Sequence, residues 1–292
     1  MANQKEIRAR IASTISTQQI TKAMKLVSAT KLRKATEAIT RMRPYAEKLQ
    51  GMLGNLQDSA DDEKLAIYFQ QKSEEKVLLV VLSSDRGLCG AFNANMFKKT
   101  RGLLETTYAE QHAKGNVTVL TIGKKAGELL SKMGPKYDKT FQASLGDISS
   151  SAMFEIGEYI LEMFRGGEYD KVELVYNKFK NAATQFATVE TLLPVAPNMD
   201  KSAASNNDYI FEPEKTIILQ ELVPRSIKTQ LYKAVLDSQA SEHGSRMVAM
   251  DKSTENAGEI LKALKQEYNQ ARQAAITNEI SEIVGGAAAL QG

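Results

Sequence analysis

One loop in this sequence has the position and composition of a ligand-binding loop. It runs from Ser83 to Asn93 (SSDRGLCGAFN), directly after the apolar run Lys76–Leu82 and before a helical pattern. In open parallel α/β sheets, ligands bind at such carboxyl ends of strands. The glycines nevertheless lack both the G-x-G-x-x-G and the G-x-x-x-x-G-K-[ST] spacing that cradles phosphates. A nucleotide site is therefore disfavoured here, and Cys89 is interpreted as a small packed residue.

Beyond this loop, the residue types that usually carry catalysis or bind metals are few and scattered. The two histidines, His112 and His243, lie far apart without metal-ligand spacing, which argues against a zinc site or a histidine-based triad. The single cysteine, Cys89, has no internal disulfide partner. We therefore expect no catalytic residue, no metal and no cofactor, and an enzyme acting alone is disfavoured.

Positive charge is concentrated near the start of the chain. Residues 1–57 hold eleven lysines and arginines against three acidic residues, although the whole chain has a formal charge of only +3. The cations are spread around a helix circumference and form no single stripe. Two interpretations stay open, a solvated face or contact with an acidic surface of protein or phosphate. The cations in question are Lys22, Lys25, Lys31, Arg33, Lys34, Arg41 and Arg43.

Two long heptad patterns predict the helices of this chain, and the first of these helices carries the cations. From Pro224 to Val284, small and apolar side chains alternate at steps of three and four, which predicts one helix with a coiled-coil seam. A second seam runs through residues 3–57, with a kink or a restart expected at Pro44. Because each seam can hide the other, we expect the helices to pair, and the segment between them makes that pairing antiparallel. The seam residues are Ile7, Ile11, Ile15, Ala35, Ile39, Met42, Ala46, Leu49, Leu53 and Leu56, and then Met247, Met250, Thr254, Ala257, Leu261, Leu264, Tyr268, Ala271 and Ala275.

The segment between the two seams predicts a Rossmann-like α/β domain with a mostly parallel sheet. Its continuous apolar first strand suits a central position covered on both faces. The fold class is therefore α+β, a long antiparallel coiled coil with an inserted α/β domain, divided into residues 1–57, 58–208 and 209–292. Strands are predicted at 76–82, 117–122, 172–176 and 186–193, the last antiparallel to its predecessor, and helices at 93–112, 124–133 and 148–165.

The termini and the overall hydropathy bear on location. No run approaches the roughly 20 apolar residues of a membrane span, and the N-terminus lacks a cleavage-like signal or a transit peptide. We expect a cytosolic or peripheral protein, with a bacterial source favoured. The C-terminal helix is the longer one and is predicted to extend past the N-terminal helix. Its apolar tip, which includes Ile280, Ile283 and Val284, is therefore expected to be enclosed by an apolar cavity.

Several stretches resemble the γ subunit of F-type ATP synthases, of the bacterial type. They occur in the family's order from the first residues to the last, which makes the resemblance specific. Ala91 and Phe92 depart from the glycine and leucine of many relatives, and Pro224 stands where many relatives continue the helix without proline. The matching stretches are IRARI at 7–11, ITKAMKLV at 20–27, KLR at 31–33, SDRGLCG at 84–90, SEH at 241–243, RM at 246–247, AM at 249–250, YNQARQA at 268–274, IT at 276–277, EI at 279–280 and EIVGGA at 282–287.

The resemblance implies a rotor, present in one copy per complex. Its partners would be the α and β subunits, the ε subunit and the membrane-embedded c-ring, at the cytoplasmic face of the bacterial inner membrane. The catalytic residues would belong to β, and no nucleic acid would be bound. The implied α/β contacts are Lys22, Met24, Lys25, Lys31, Arg33, Arg272, Gln273 and Thr277, the bearing tip is Ile280, Ile283 and Val284, and the c-ring or ε contact is Tyr209, Phe211 and Glu212.

Alternatives from other functional classes stay open. A stand-alone α/β nucleotide-binding protein would use the loop around Asp85. A nucleic-acid-binding coiled coil would use the basic helix, with an affinity that falls steeply with salt. For Tyr209 and Phe211, the two rings could instead cap the local core. Neither alternative function explains the apolar tip.

Overall fold

The computed structural model describes residues 4–56, 63–71, 73–131, 134–142, 149–195 and 215–291. The chain divides into two compact units, Met1–Ser28 with Met247–Gly292 and Ala29–Arg246. Two long helices, α1 (Gln4–Leu56) and α7 (Lys215–Gln291), contribute to both units. The predicted domain boundaries at 57/58 and 208/209 lie outside the described residues, so that division stays a prediction.

The second unit is built around a five-stranded sheet. Its strands are β1 (Val77–Leu82), β2 (Val117–Ile122), β3 (Lys136–Asp138), β4 (Lys171–Phe179) and β5 (Gln185–Leu193), in the order β3-β2-β1-β4-β5. Strand β1 is parallel to β2 and β4, β2 is parallel to β3, and β4 is antiparallel to β5. The predicted mostly parallel sheet with an antiparallel last strand is confirmed, while β3 was missed because three residues carry no measurable periodicity.

Helices cover the sheet on both faces. They are α2 (Glu63–Phe69), α3 (Phe92–Gly102), α4 (Ala109–Ala113), α5 (Lys124–Leu130) and α6 (Ser150–Arg165), with a π-helix at Leu103–Thr107 between α3 and α4. One face packs against α6 and α7, and the other against α3, α5 and the π-helix. All six residues of β1 are therefore buried, as its continuous apolar composition predicted.

Both prolines expected to disturb the long helices lie inside them. A kink or a restart was predicted at Pro44; helix α1 continues through it, so the restart is wrong, while the kink stays a prediction. Helix α7 begins at Lys215 and passes through Pro224, so the predicted helix start is wrong too. A proline costs a helix interior about 3 kcal/mol. Buried residues on both sides of each proline supply packing that outweighs this cost. They are Ile39 and Ala46 around the first proline, and Val223 and Ile227 around the second.

The boundaries of the shorter helices differ from the predicted ones as well. The predicted helix at 93–112 is divided by the π-helix, and the one at 124–133 ends at Leu130. The predicted helix at 148–165 begins at Ser150, because the Ser149 hydroxyl accepts a hydrogen bond from the Ala152 N–H and caps it.

The two long helices run antiparallel within each unit. In the first unit, Arg8 bonds the Tyr268 hydroxyl at 3.1 Å, and Lys25 pairs with Asp251 at 2.6 Å. The residue order therefore ascends on α1 while it descends on α7. In the second unit, Ala35 and Ile39 pack against Leu236 and Ala240. The predicted antiparallel pairing is thus confirmed inside each unit.

The seam of the first unit is more polar than predicted. Ile15, assigned to the seam from the sequence, is 37% exposed, whereas Thr21 and Ser28 are buried. The Thr21 hydroxyl accepts a hydrogen bond from the Thr254 hydroxyl at 2.7 Å, so these side chains meet across the seam. The heptad pattern included Thr254 but not Thr21 or Ser28, because small hydroxyl side chains can pack between helices when their hydrogen bonds are satisfied.

Candidate functional surfaces

The loop after β1 is held in one conformation by side-chain hydrogen bonds. The Ser84 hydroxyl donates to the Arg86 carbonyl at 2.7 Å, and the Asn93 amide donates to the Ser84 hydroxyl at 2.7 Å. Cys89 is buried, and its Sγ lies 3.3 Å from the Asn93 amide nitrogen, in keeping with the predicted packed cysteine. Leu88 has a φ of +61°, a conformation that few side chains adopt, and is largely exposed. The loop is therefore constrained rather than loose.

Helix α7 closes over this loop and leaves a cavity of about 360 Å³. The guanidinium of Arg246 donates to the carbonyls of Arg86 and Gly87 at 3.1 and 3.3 Å, and pairs with Glu242 at 2.6 Å. The cavity therefore has one wall from the loop, one from α7 and one from α1. Its charged and titratable lining residues are Lys31, Asp85, Arg86, Glu242, His243 and Arg246.

Two titratable side chains in this cavity have shifted pKa values. Burial, with the nearby cations Arg246 and Lys31, lowers the pKa of His243 to about 4. Burial also raises the pKa of Glu242, although its pairing with Arg246 opposes that rise. The structure places His243 buried in the cavity wall.

The cations of α1 lie in different surroundings. Lys22 is exposed, while Lys25 pairs with Asp251 and Met24 is half-buried beside it. Arg33 lies 3.7 Å from Glu37 one helical turn away, and Lys31 lines the cavity. The cations of α1 thus differ in exposure and in their partners.

The end of α7 presents a different surface. From Arg272 to Ala287 every side chain is exposed, including Gln273 and Thr277. The Thr277 hydroxyl donates to the Gln273 carbonyl at 2.9 Å. Several large apolar side chains are thus left in water by this chain alone, which is typical of an interaction surface. They include the predicted tip residues Ile280, Ile283 and Val284, of which Ile283 is 70% exposed.

Tyr209, Phe211 and Glu212, the predicted c-ring or ε contact, lie outside the described residues. Their assignment therefore stays a prediction.

Sequence reasoning missed a buried ion pair in the second unit. Arg43 had been grouped with the basic face of α1, yet its guanidinium lies 2.9 Å from the carboxylate of Asp237, which is fully buried. The only sequence sign was an aspartate at a core-facing position of α7, among Val235, Leu236 and Ala240. Burying an unpaired charge at such a position costs free energy, so the aspartate itself indicates a cationic partner elsewhere in the chain.

Within the described ranges, no group of three or more His, Cys, Asp or Glu side chains is placed to hold a metal ion. Among the helices that the structure describes, none has the length and apolar content to cross a membrane.

Comparison with known proteins assigns the chain to a family. A family model described as ATP synthase matches residues 3–290. The chain is 52% identical over 292 residues to the ATP synthase gamma chain of Flavobacterium johnsoniae, with 100% of both chains covered. It is 49% identical over 293 residues to that of Cytophaga hutchinsonii, with 99% of both covered. The chain therefore belongs to the ATP synthase gamma-chain family.

Solved structures of low sequence identity share the fold. A chain from the rotor of Euglena gracilis mitochondrial ATP synthase matches with a TM-score of 0.62 at 22% identity, covering 94% of this chain and 98% of that one. A chain from another rotational state of the same enzyme matches with a TM-score of 0.64 at 22% identity, covering 98% of this chain and 94% of that one. These matches support the α+β fold with two long helices. The comparisons favour neither the nucleotide-binding nor the nucleic-acid-binding alternative.

Proposed function

We propose that this chain is the central rotor subunit of an F-type ATP synthase, which couples rotation of a membrane c-ring to ATP synthesis or hydrolysis. The observation that carries the proposal is its full-length identity of about one half to chains named ATP synthase gamma chain. The antiparallel pairing of α1 and α7 suits a part that transmits torque, because paired helices resist bending better than one helix.

The proposed mechanism needs no catalytic residue in this chain. The end of α7 turns inside the α3β3 hexamer, and its asymmetric surface contacts the three β subunits differently. A contact that favours one conformation of a β subunit over another shifts that subunit's nucleotide affinity by the difference in contact free energy. Rotation thus moves each β subunit through its states in turn. The catalytic groups belong to β, and this chain is a non-catalytic subunit.

The surfaces described above have proposed partners. The contacts to α and β are made by Lys22, Met24, Lys25, Lys31, Arg33, Arg272, Gln273 and Thr277, of which Lys25 is paired with Asp251 within the chain. The apolar group Ile280, Ile283 and Val284 turns in an apolar sleeve of the hexamer, which supplies the burial that the chain alone lacks. The segment with Tyr209, Phe211 and Glu212 contacts ε and the c-ring, which places the chain at the cytoplasmic face of a bacterial inner membrane.

The test is assembly and coupling in a bacterial strain that lacks its own γ subunit. An affinity-tagged copy of this chain should co-purify with α, β, ε and c subunits, and inverted membrane vesicles should show ATP-driven proton pumping. A matched strain that expresses only residues 1–246 controls for nonspecific capture, since it lacks the α7 half of the first unit. If the full chain purified alone, or pumping were absent despite assembly, the rotor proposal would be withdrawn.

A further inference from the structure

A polar layer, formed by Gln18, Thr21 and Thr254, crosses the helix pair of the first unit. The Thr254 hydroxyl of α7 donates to the Thr21 hydroxyl of α1 at 2.7 Å, and the Thr21 hydroxyl donates to the Gln18 carbonyl at 3.1 Å. The side-chain amide of Gln18 donates in turn to the Thr254 carbonyl at 3.4 Å. A coiled coil usually packs apolar side chains at such positions. At this level the seam is therefore joined by hydrogen bonds.

The polar layer suits a closer approach of the two helices than apolar side chains allow. Hydrogen-bonded hydroxyl oxygens meet at about 2.7–2.8 Å, whereas apolar carbon atoms settle at about 3.5–4.0 Å. A methyl group in place of the Thr21 oxygen therefore needs about 1 Å more room. The next turn of α7 leaves little room too, because a Cβ at Gly258 would lie only 3.1 Å from the Gln18 amide nitrogen.

The polar layer also fixes how α1 is rotated about its own axis. Successive residues of a helix lie about 100° apart, so holding Thr21 against α7 sets the directions of Lys22, Met24 and Lys25. The contact of Lys25 with Asp251 of α7, at 2.6 Å, depends on this rotation. Lys22, Met24 and Lys25 belong to the surface assigned to the α and β subunits. The polar layer therefore determines how that part of the surface is presented.

We propose that the polar layer is a positioning device: its hydrogen bonds set the approach and rotation of α1 on α7, and so present Lys22, Met24 and Lys25 to the partner subunits. The partner contact rests on the proposed rotor function, whereas the helix geometry does not. Replacing both members of a hydrogen-bonded pair by apolar groups of the same shape can be nearly neutral for stability. The hydroxyls thus contribute orientation rather than stability.

The Lys25–Asp251 pair reports this geometry in the purified full-length chain. A carbodiimide joins an amine directly to a carboxylate that touches it, and mass spectrometry quantifies the Lys25–Asp251 cross-link. Lys171 and Glu74, 2.8 Å apart in the second unit, give an internal control for folding and for the reagent. Thr21→Val should lower the Lys25–Asp251 cross-link about threefold, the equilibrium equivalent of losing one exposed ion pair. The Lys171–Glu74 cross-link should not change.

Two further variants separate the hydroxyl from the shape of the side chain. Thr21→Ser keeps the oxygen and removes the methyl group, so it should cross-link like the wild type. Thr17→Val makes the valine exchange on the exposed side of α1, where the hydroxyl donates to the Ser13 carbonyl of its own helix at 3.0 Å, and should also cross-link like the wild type. Thr21→Val itself should fold, because the Thr254 hydroxyl can donate to the Met250 carbonyl, 2.7 Å away.

The functional readout is proton pumping per ATP hydrolysed, in membrane vesicles that carry the assembled complex. Thr21→Val should lose pumping at equal recovery of the complex, and the conservative Thr21→Ser should restore it. The double variant Thr21→Val with Thr254→Val should match the wild type in urea denaturation and still lose pumping. A loss of pumping without a loss of stability separates positioning from a merely structural role.

A Thr21→Val chain that cross-links like the wild type would overturn the proposal, as would equal losses in Thr21→Val and Thr21→Ser. Loss of both cross-links would make the hydroxyl a requirement for folding, which also contradicts a positioning role. If the Lys25–Asp251 cross-link fell but pumping did not, the positioning claim would fail while the rotor proposal stood. If the wild-type chain did not assemble, the rotor proposal would fail, and the cross-link would still decide whether the hydroxyls set the helix geometry.

Discussion

The guanidinium of Arg43 and the carboxylate of Asp237 lie 2.9 Å apart between α1 and α7, with the Asp237 side chain fully buried. Arg43 also donates to the carbonyl of Phe179 at the end of β4, at 3.3 Å. One side chain thus joins both long helices to the sheet. If the chain transmits torque, this junction ties the helix pair to the α/β domain.

Removing the Arg43 charge should destabilise the second unit. Arg43→Met leaves Asp237 buried without its partner, and breaking a buried pair costs about 3–5 kcal/mol. Since the Arg43 side chain is 40% exposed, water screens part of the interaction. We therefore expect Arg43→Met to lower the free energy of unfolding by about 2–3 kcal/mol. Urea denaturation of the purified chain measures the change.

The same measurement includes two further variants. Arg41→Met on the exposed face of α1 should change the unfolding free energy by less than about 0.5 kcal/mol. Adding Asp237→Leu to Arg43→Met removes the unpaired charge and should recover most of the loss. If Arg43→Met alone were as stable as the wild type, the ion pair would contribute nothing to the stability of the fold.

Met24→Lys should impair coupling more than assembly. Met24 is half-buried beside Lys25, which already pairs with Asp251 at 2.6 Å. A new cation there would tighten contact with acidic segments of the β subunits and slow the release that each rotation step needs. Proton pumping per ATP hydrolysed, measured in membrane vesicles, should fall while complex recovery stays near wild type. Met24→Leu, which keeps the size without charge, should pump normally, and normal pumping by Met24→Lys would argue against the assignment.

Arg272 and Gln273 are predicted to grip β-subunit loops. Both are exposed on α7, and alanine has the highest helix propensity, so Arg272→Ala with Gln273→Ala should leave the helix intact. Any loss of function then reports a lost contact with a partner. We expect reduced ATP turnover and poor growth on a non-fermentable carbon source. The matched double variant Lys265→Ala with Gln266→Ala lies on the same helix, and its strain should grow normally. Equal growth of the two strains would show that Arg272 and Gln273 do not contact the β subunits.

The apolar tip is predicted to be a bearing that carries little torque. Its large side chains Ile280, Ile283 and Val284 are exposed in the chain alone and are retained when Ala287–Gly292 is deleted. Assembly and much of the ATPase activity should therefore survive the deletion. Activity of purified complex per mole measures this. Loss of both assembly and activity would show that the last residues make contacts that the complex requires, which would contradict the bearing prediction.

Tyr209 and Phe211 are predicted to contact the c-ring. They are two residues apart in a segment expected to be extended, so both rings would point to one side. Tyr209→Cys and Phe211→Cys should each cross-link to a cysteine placed in the polar loop of the c subunit, and Thr107→Cys, exposed on the α/β domain, is a control for random collision. Cross-linking of both variants only to α or β would place the segment inside the hexamer and reverse the proposed orientation.

The sequence by itself determined the helices and strands whose hydrophobic pattern repeats over neighbouring residues. Heptad spacing identified α1 and α7, and the apolar run before Leu82 identified β1 as the central strand. These predictions succeeded because burial of one helix stripe, or of both strand faces, repeats along the chain at a fixed period. The order of several family motifs also sufficed to recognise the γ subunit.

Only the tertiary structure decided the features that depend on distant residues. Helix continuity through Pro44 and Pro224 follows from packing that outweighs the local cost of proline. The buried hydroxyl of Thr21 in the seam and the pairing of Arg43 with Asp237 also depend on distant residues. A polar side chain can be buried when a partner far along the chain satisfies it, and no local periodicity records where that partner lies.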